Sequence, residues 1–304
     1  MLTYKIKDIN GSETQLKYPL SVILISSDDA PADSLKAVFA VCGSIPELAS
    51  VIIENGKERV FNGLVDTQTE EETSDGILLT ITARSLECIL LDNEALPQTY
   101  CMPSMPLIME RHLAPLGFTE YIGESKSFNG EMIISKGMSE WAVLEMFCRR
   151  FMETTPKIDC YGIIDITEND SDEVIYLSEK RCISKKRILK RSNLISDIAA
   201  RTYIAGGYEM MLENETAKAL GVKRKRYVNS IDSESRTVLT AKKMLSDSNN
   251  SYEEIVAEYS GCILCSVGAT AVLGNDSKKM KVKEIRYSLN SSGEKTQLYL
   301  TSDL

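Results

Sequence analysis

A chain of 304 residues with 43% hydrophobic content can bury a sizeable core and is long enough for two or three domains. Its 44 acidic and 35 basic side chains leave a formal charge of −9, which opposes wrapping nucleic acid or docking on anionic lipid. No run approaches the roughly 18 apolar residues that cross a bilayer and the N-terminus lacks an apolar signal core, so the expected setting is the cytosol unless something larger carries the chain out.

From residue 1 to about 96 the pattern is mostly strand. TYKIKDI, LSVILISS and the alternating LKAVFAV come first, with a turn at 28–31 between the last two. Asn55 and Gly56 then sit between VIIE and KERVF, a pair that predicts a tight type I′ hairpin because both turn residues must accept positive φ. Val60, Phe61 and Val65 lead into a charged loop at 69–75. ILLTITA then alternates Ile77, Leu79 and Ile81 with Leu78, Thr80 and Thr82. Ser85 is placed to cap a short helix, SLECILLD. Many short strands at close spacing predict a small barrel or sandwich, which makes residues 1–96 an N-terminal β-barrel domain.

The period changes over residues 97–180, read as an α+β connector domain. Pro97, Pro103 and Pro106 break the chain before a helix that Ser104 caps and that ends near 115–117. Ser139 precedes WAVLEMFCRRF, where Trp141, Leu144, Cys148 and Phe151 recur at helical spacing, with Arg149 and Arg150 at the favourable C-terminal end. Strands are expected in KIDCYGIIDI and EVIYLS. Residues 181–304 return to strands and are read as a second β-barrel domain with a helical α+β insertion at about 205–252. That insertion carries an apolar stripe of Ala241, Met244 and Leu245 on a helix at 238–246. KVKEIRYSL and KTQLYLT, joined by a turn at 290–293, form the closing hairpin, with Val282, Ile285, Tyr287 and Leu289 facing Leu298 and Leu300. The fold class is therefore β-rich α+β, with two small barrels joined by mixed segments.

The chemistry-bearing residues are sparse. His112 is the single histidine, which removes most zinc and Ser-His-Asp arrangements and leaves only a Cys-His pair to consider. Cys262 and Cys265 have redox or zinc spacing but no second pair, and they sit in what reads as a strand-like apolar run, as buried small hydrophobes. The eight cysteines as a set read as reduced core residues. Basic runs at 185–191 and 223–226 lack interleaved aromatics and read as a solvated face or a subunit contact. The segment 274–279 lacks the spacing of a phosphate loop and reads as a turn. A glycosidase-type carboxylate pair is not selected by any pattern. No catalytic, cofactor or metal residue is assigned.

The order of segments nevertheless carries a resemblance. VIIENGKERVFNGLVD with GILLTITARSLECILLDNEA, then LPQTY with PSMPLIMERHLAPLGF, SKGMSEWAVLEMFCRRF and VKEIRYSLNSSGEKTQLYL, together covering most of the chain, resemble the baseplate hub family of contractile phage tails and tail-like particles. That family includes Mu-like and T-even hubs, the late control protein D group and the hub part of type VI secretion VgrG proteins. The resemblance implies a non-enzymatic structural protein without cofactors. It implies a homotrimer whose six barrels form a pseudo-hexameric ring, a symmetry adaptor joining a hexameric tail tube protein to a trimeric central spike protein. Other baseplate proteins are further partners, the spike is expected on a separate polypeptide, and DNA at most passes through the lumen. No direct membrane insertion is implied. Assembly is expected in the cytoplasm of the producing bacterium, followed by residence in the virion or tail-like particle. The rival readings are a tail-associated peptidoglycan hydrolase and a β-barrel ligand-binding module.

Overall fold

A computed structural model of the chain describes residues 2–167, 173–201, 207–229, 234–274 and 278–302. The chain divides into two compact units, the first comprising Met1–Asp170 with Arg286–Lys295 and the second Ser171–Ile285 with Thr296–Leu304.

The first unit opens on strands β1 (Leu2–Asp8), β2 (Glu13–Leu16), β3 (Ser21–Ser27), β4 (Ser34–Val41), β5 (Leu48–Asn55), β6 (Glu58–Thr73) and β7 (Gly76–Ser85). They run in the order β3-β4-β7-β6-β5-β1-β2, with every neighbour antiparallel. The period of two decides which side chains are inside. Tyr4 and Ile6, Leu35, Ala37 and Phe39, and Leu79, Ile81 and Ala83 are each buried at alternate positions. Tyr4 and Phe39 meet edge to face, their ring centroids 5.5 Å apart.

The hairpin between β5 and β6 lies one residue further along than the sequence predicts. Asn55 pairs with Glu58 as a strand residue, and the loop is Gly56 and Lys57. Only Gly56 of these has positive φ, at 65°, so the φ signs are those of a type II′ turn rather than type I′. The cause is a bulge between Ile53 and Glu54, which moves the register by one. A Cβ on Gly56 would meet nothing within 4 Å, so Gly56→Val tests backbone strain alone. The expected cost is about 1–3 kcal/mol, read by urea denaturation; an unchanged midpoint would show that the turn tolerates a β-branched residue.

A second correction concerns the charged loop expected at 69–75. It is strand as far as Thr73, with Glu70, Glu71 and Glu72 opposite Leu79, Leu78 and Ile77, and only Ser74 and Asp75 form the turn. The carboxylates lie on exposed positions, so extending the strand satisfies the backbone of β7 without desolvating charge. Ser85 likewise does not cap a helix. Helix α1 (Glu87–Asp92) starts after Leu86 with no side-chain cap, and the Ser85 hydroxyl accepts from the Asp33 N–H at 2.8 Å while donating to the Glu87 carboxylate.

The rest of this unit holds β8 (Gln98–Cys101), α2 (Met105–Ile108), β9 (Tyr121–Ile122), β10 (Glu131–Ile134), α3 (Glu140–Phe147), β11 (Lys157–Ile158) and β12 (Ile164–Asp165). Ser104 accepts from the Leu107 N–H and Ser139 from the Ala142 N–H, capping α2 and α3 as their sequence positions predict. Each helix widens into a π turn, at Met109–Leu113 and Cys148–Met152. Trp141, Leu144, Cys148 and Phe151 are all buried, in a core that also takes Leu90, Leu113, Phe118, Met132 and Ile164. KIDCYGIIDI is broken by a turn in which the Asp159 carboxylate accepts from the N–H groups of Tyr161 and Ile163, leaving two-residue strands on either side.

The second unit contains β13 (Val174–Leu177), β14 (Cys182–Leu189), β15 (Asp197–Ala200), β16 (Met210–Glu213), α4 (Glu215–Ala219), β17 (Lys225–Val228), α5 (Glu234–Asn250), β18 (Glu253–Ser260) and β19 (Thr270–Leu273). The closing hairpin consists of β20 (Lys278–Asn290) and β21 (Gly293–Ser302), and its tip falls within the first unit. The strand order in the larger sheet is β14-β18-β21-β20, with β19 antiparallel to β20 and β13 parallel to β19. Val282, Ile285, Tyr287, Leu298 and Leu300 are buried as predicted, while Leu289 is half-buried. A smaller sheet, β16-β15-β17, is covered by α5. Ala241, Met244 and Leu245 of that helix pack on Ile198, Ala200 and Val228, so the predicted stripe is real and the helix longer than 238–246. The architecture is β-rich α+β, and among the described residues no closed barrel is formed.

Candidate interaction surfaces and buried polar sites

Several strand edges present exposed side chains. β14 ends the strand path in its sheet, paired among the described residues with β18 alone, and presents Ile183 and Leu189 at 50% and 47% exposure. Tyr176 on β13 is 81% exposed. The basic run at 185–191 lies on and just after β14. Arg187 bonds Glu253 at 2.7 Å and Lys190 bonds Glu254 at 2.6 Å, whereas Lys185 and Lys186 are exposed. The run at 223–226 is partly structural, because Arg224 donates to the carbonyls of Ser192 and Leu194 and Lys225 lies over the Tyr227 ring. In the segment 274–279, residues 275–277 lie outside the described residues.

His112 is 2% exposed, and both ring nitrogens are engaged. Nδ1 lies 2.6 Å from the Glu140 carboxylate and Nε2 3.0 Å from the Tyr100 hydroxyl. Among the described residues no thiol is paired with it. Its partners sit 12 and 28 residues away, on β8 and α3, which is why the sequence did not identify them. Burial pushes the Tyr100 phenol up, so this chain of bonds ends on a poor nucleophile and reads as an interior tie between β8, the turn after α2, and α3.

The cysteine reading needs two corrections. Cys42 and Cys101 are exposed, not core. Cys262 and Cys265 lie in an irregular stretch between β18 and β19, not a strand, with the Ile263 N–H held by Thr296 Oγ1 and the Cys262 carbonyl by Arg181. Both are half-buried, and burial pushes the Cys265 thiol up to about 12, so it is not a thiolate at neutral pH. Among the described residues no group of three or more His, Cys, Asp or Glu is placed to hold a metal.

Two carboxyls with raised values flank Ser85, where no spacing announced them. The Ser85 hydroxyl accepts from the Asp33 backbone N–H and donates to the Glu87 carboxylate, and burial raises the Asp33 and Glu87 carboxyls to about 6 and about 7 respectively. Ser85 hydrogen bonding opposes the shift at Glu87, and the nearby charges of Asp33 and Asp159 add to it. A cleft in this unit is lined by Leu86, Ile89, Phe118, Glu120 and Tyr161, among others, and neither member of the pair is in its wall.

The raised Glu87 value has a sign. The folded state holds its proton between the usual carboxylate range and about 7, so the stability linked to that proton is full below about pH 4.5 and is lost as pH rises through 7. Glu87→Gln removes the titration and keeps an acceptor for Ser85. The variant is expected to be more stable than the parent at pH 8 by about 1–3 kcal/mol, the gap closing below pH 4.5. Urea midpoints across that range check it, and a pH-independent gap would show that Glu87 is not held neutral.

Comparison with solved structures finds proteins of similar fold. No protein-family model matches the chain, and no curated protein matches its sequence. The crystal structure of a tail protein from Neisseria meningitidis superposes with a TM-score of 0.79 at 16% identity, covering 99% of this chain and 97% of that one. The 43 kDa tail protein of prophage MuSo2 from Shewanella oneidensis gives 0.81 at 11% identity, over 100% and 99%. The chain has the phage tail-protein fold. An E. coli component of the type VI secretion system, itself described as similar to bacteriophage T4 tail proteins, gives 0.59 at 8% identity over 98% of this chain and 76% of that one. The resemblance read from the order of segments is thus present in the fold, although identities this low leave few side chains in common. A tail-protein fold directs attention to strand edges and exposed faces rather than to the buried polar groups.

Proposed function

We propose that the chain is a baseplate hub protein of a contractile tail or tail-like particle. It forms a homotrimeric ring with pseudo-six-fold symmetry and joins a hexameric tail tube to a trimeric central spike. The observation that carries this reading is the end-to-end superposition on tail proteins, which supports a structural role in a tail. Symmetry supports it. A six-fold tube and a three-fold spike cannot share one set of equivalent contacts, because closed interfaces repeat the same surface on every subunit. A subunit whose β-rich segments at residues 1–96 and 181–304 curl into two similar barrel-like lobes in the ring resolves the mismatch by offering six tube-facing elements from three copies. Bulges at Ile53/Glu54, Val65/Thr67 and Cys182/Ser184 favour this, since an extra residue bends a strand and curls its sheet.

In this role the chain works through its surfaces and has no enzymatic step. Purified protein is expected to leave peptidoglycan, ATP and peptides unchanged, and digestion of peptidoglycan would favour the hydrolase reading. Electron-microscopy class averages of the protein with its tube and spike partners should show a three-fold ring of six similar lobes, with light scattering giving three copies per ring. A closed dimer, or one barrel per chain in the assembled ring, would overturn the hub reading.

A further inference from the structure

The hub reading requires that copies meet through two different patches, because a ring of three closes only with head-to-tail contacts. Two strand edges have matching chemistry. The first is β14. From Cys182 to Asn193 the sequence holds no acidic residue, and its intrachain carboxylates, Glu253 and Glu254, are taken by Arg187 and Lys190. Lys185 and Lys186 are exposed, have no partner among the described residues, and sit mid-strand on an edge that no other described strand covers.

The second is the far end of β6. Its pairing with β5 stops at Ser50 and Leu64, and Gln68 and Glu70 then bind the backbone N–H groups of Leu48 and Ile45. Beyond that point, among the described residues, only β7 pairs with it. Glu71 and Glu72 are exposed and have no partner among the described residues.

We propose that neighbouring copies in the ring join through these two edges, the end of β6 on one copy lying along β14 of the next. The geometry is two-sided. Successive residues of a strand point to opposite faces, so Glu71 and Glu72 diverge as Lys185 and Lys186 do, and edge pairing places one Glu-Lys pair on each face of the joint. Like patches cannot meet, because β6 against β6 sets glutamates opposite glutamates and β14 against β14 sets lysines opposite lysines. Charge therefore selects a second copy in head-to-tail orientation, and backbone hydrogen bonding along two open edges supplies the attraction.

This inference rests on the trimer reading and is separable from it by charge exchange. Three variants are compared with the parent by sedimentation velocity: Lys185→Glu with Lys186→Glu, Glu71→Lys with Glu72→Lys, and all four together. Each pair alone is expected to weaken self-association at least about tenfold. The four-fold exchange should restore the trimer, and the parent trimer should dissociate as salt is raised. All four side chains are exposed, so far-UV circular dichroism spectra should match the parent and exclude misfolding. A trimer that survives either pair reversal overturns this contact while leaving the trimer itself standing. Loss on lysine reversal alone also overturns it, by showing that β14 meets another partner. A parent that stays monomeric at its highest soluble concentration overturns it too, and a closed dimer overturns both readings.

Discussion

Gly63→Ala is expected to destabilise the first unit by about 3 kcal/mol, at the top of the range for overpacking. Gly63 lies in the middle of β6, with Val51 of β5 on one side and Ser85 of β7 on the other. A Cβ there would lie 2.1 Å from the Arg84 carbonyl oxygen and 2.7 Å from the Phe61 ring. The ring can rotate away; the carbonyl belongs to a strand fixed by ladder bonds on both edges, so the backbone must move. Gly43 is the matched control, since a Cβ there would meet nothing within 4 Å and Gly43→Ala should fall within about 0.5 kcal/mol of the parent. Urea denaturation of both variants checks the pair, and equal midpoints would show that β6 and β7 separate at little cost.

The largest loss is expected from Phe147→Ala, at about 3–5 kcal/mol. Phe147 closes α3 with no solvent exposure, and its ring lies 5.8 Å from those of Phe128 and Phe151. Truncation removes the transfer free energy of the ring and leaves a cavity that two remaining aromatics cannot fill without leaving their rotamers. Much of the stability of a typical domain, about 5–15 kcal/mol, would be gone. Phe147→Leu, which keeps most of the volume, should recover more than half of the loss. A fall in denaturation midpoint at constant m-value reads the effect as stability; a changed m-value would point to an altered denatured state.

Two interior arrangements show how sequence distance hides function-like geometry. His112 bonds Glu140 and Tyr100, and Ser85 holds Asp33 to Glu87 across a separation of 52 residues at the longer arm. Neither grouping has a local spacing, because each is assembled by strands and helices that meet only after folding. Both tie together elements that lie far apart in the sequence.

The sequence by itself determined many of the strands and helices, the buried faces of the alternating strands, the caps at Ser104 and Ser139, and the apolar stripes of α3 and α5, because these depend on neighbours within one turn or one pleat. It also determined the order of segments on which the family resemblance rested. Tertiary structure alone decided the register at Gly56, where a bulge three residues earlier moved the turn. It alone decided that the acidic segment after Thr69 is strand, since β7 offers it a ladder that no local propensity records. It decided too that Ser85 serves Asp33 and Glu87 instead of a helix end. In each case the local preference is worth a few tenths of a kcal/mol to about one, while an unmade backbone bond or an unpartnered buried carboxyl costs more, so the long-range partner prevails.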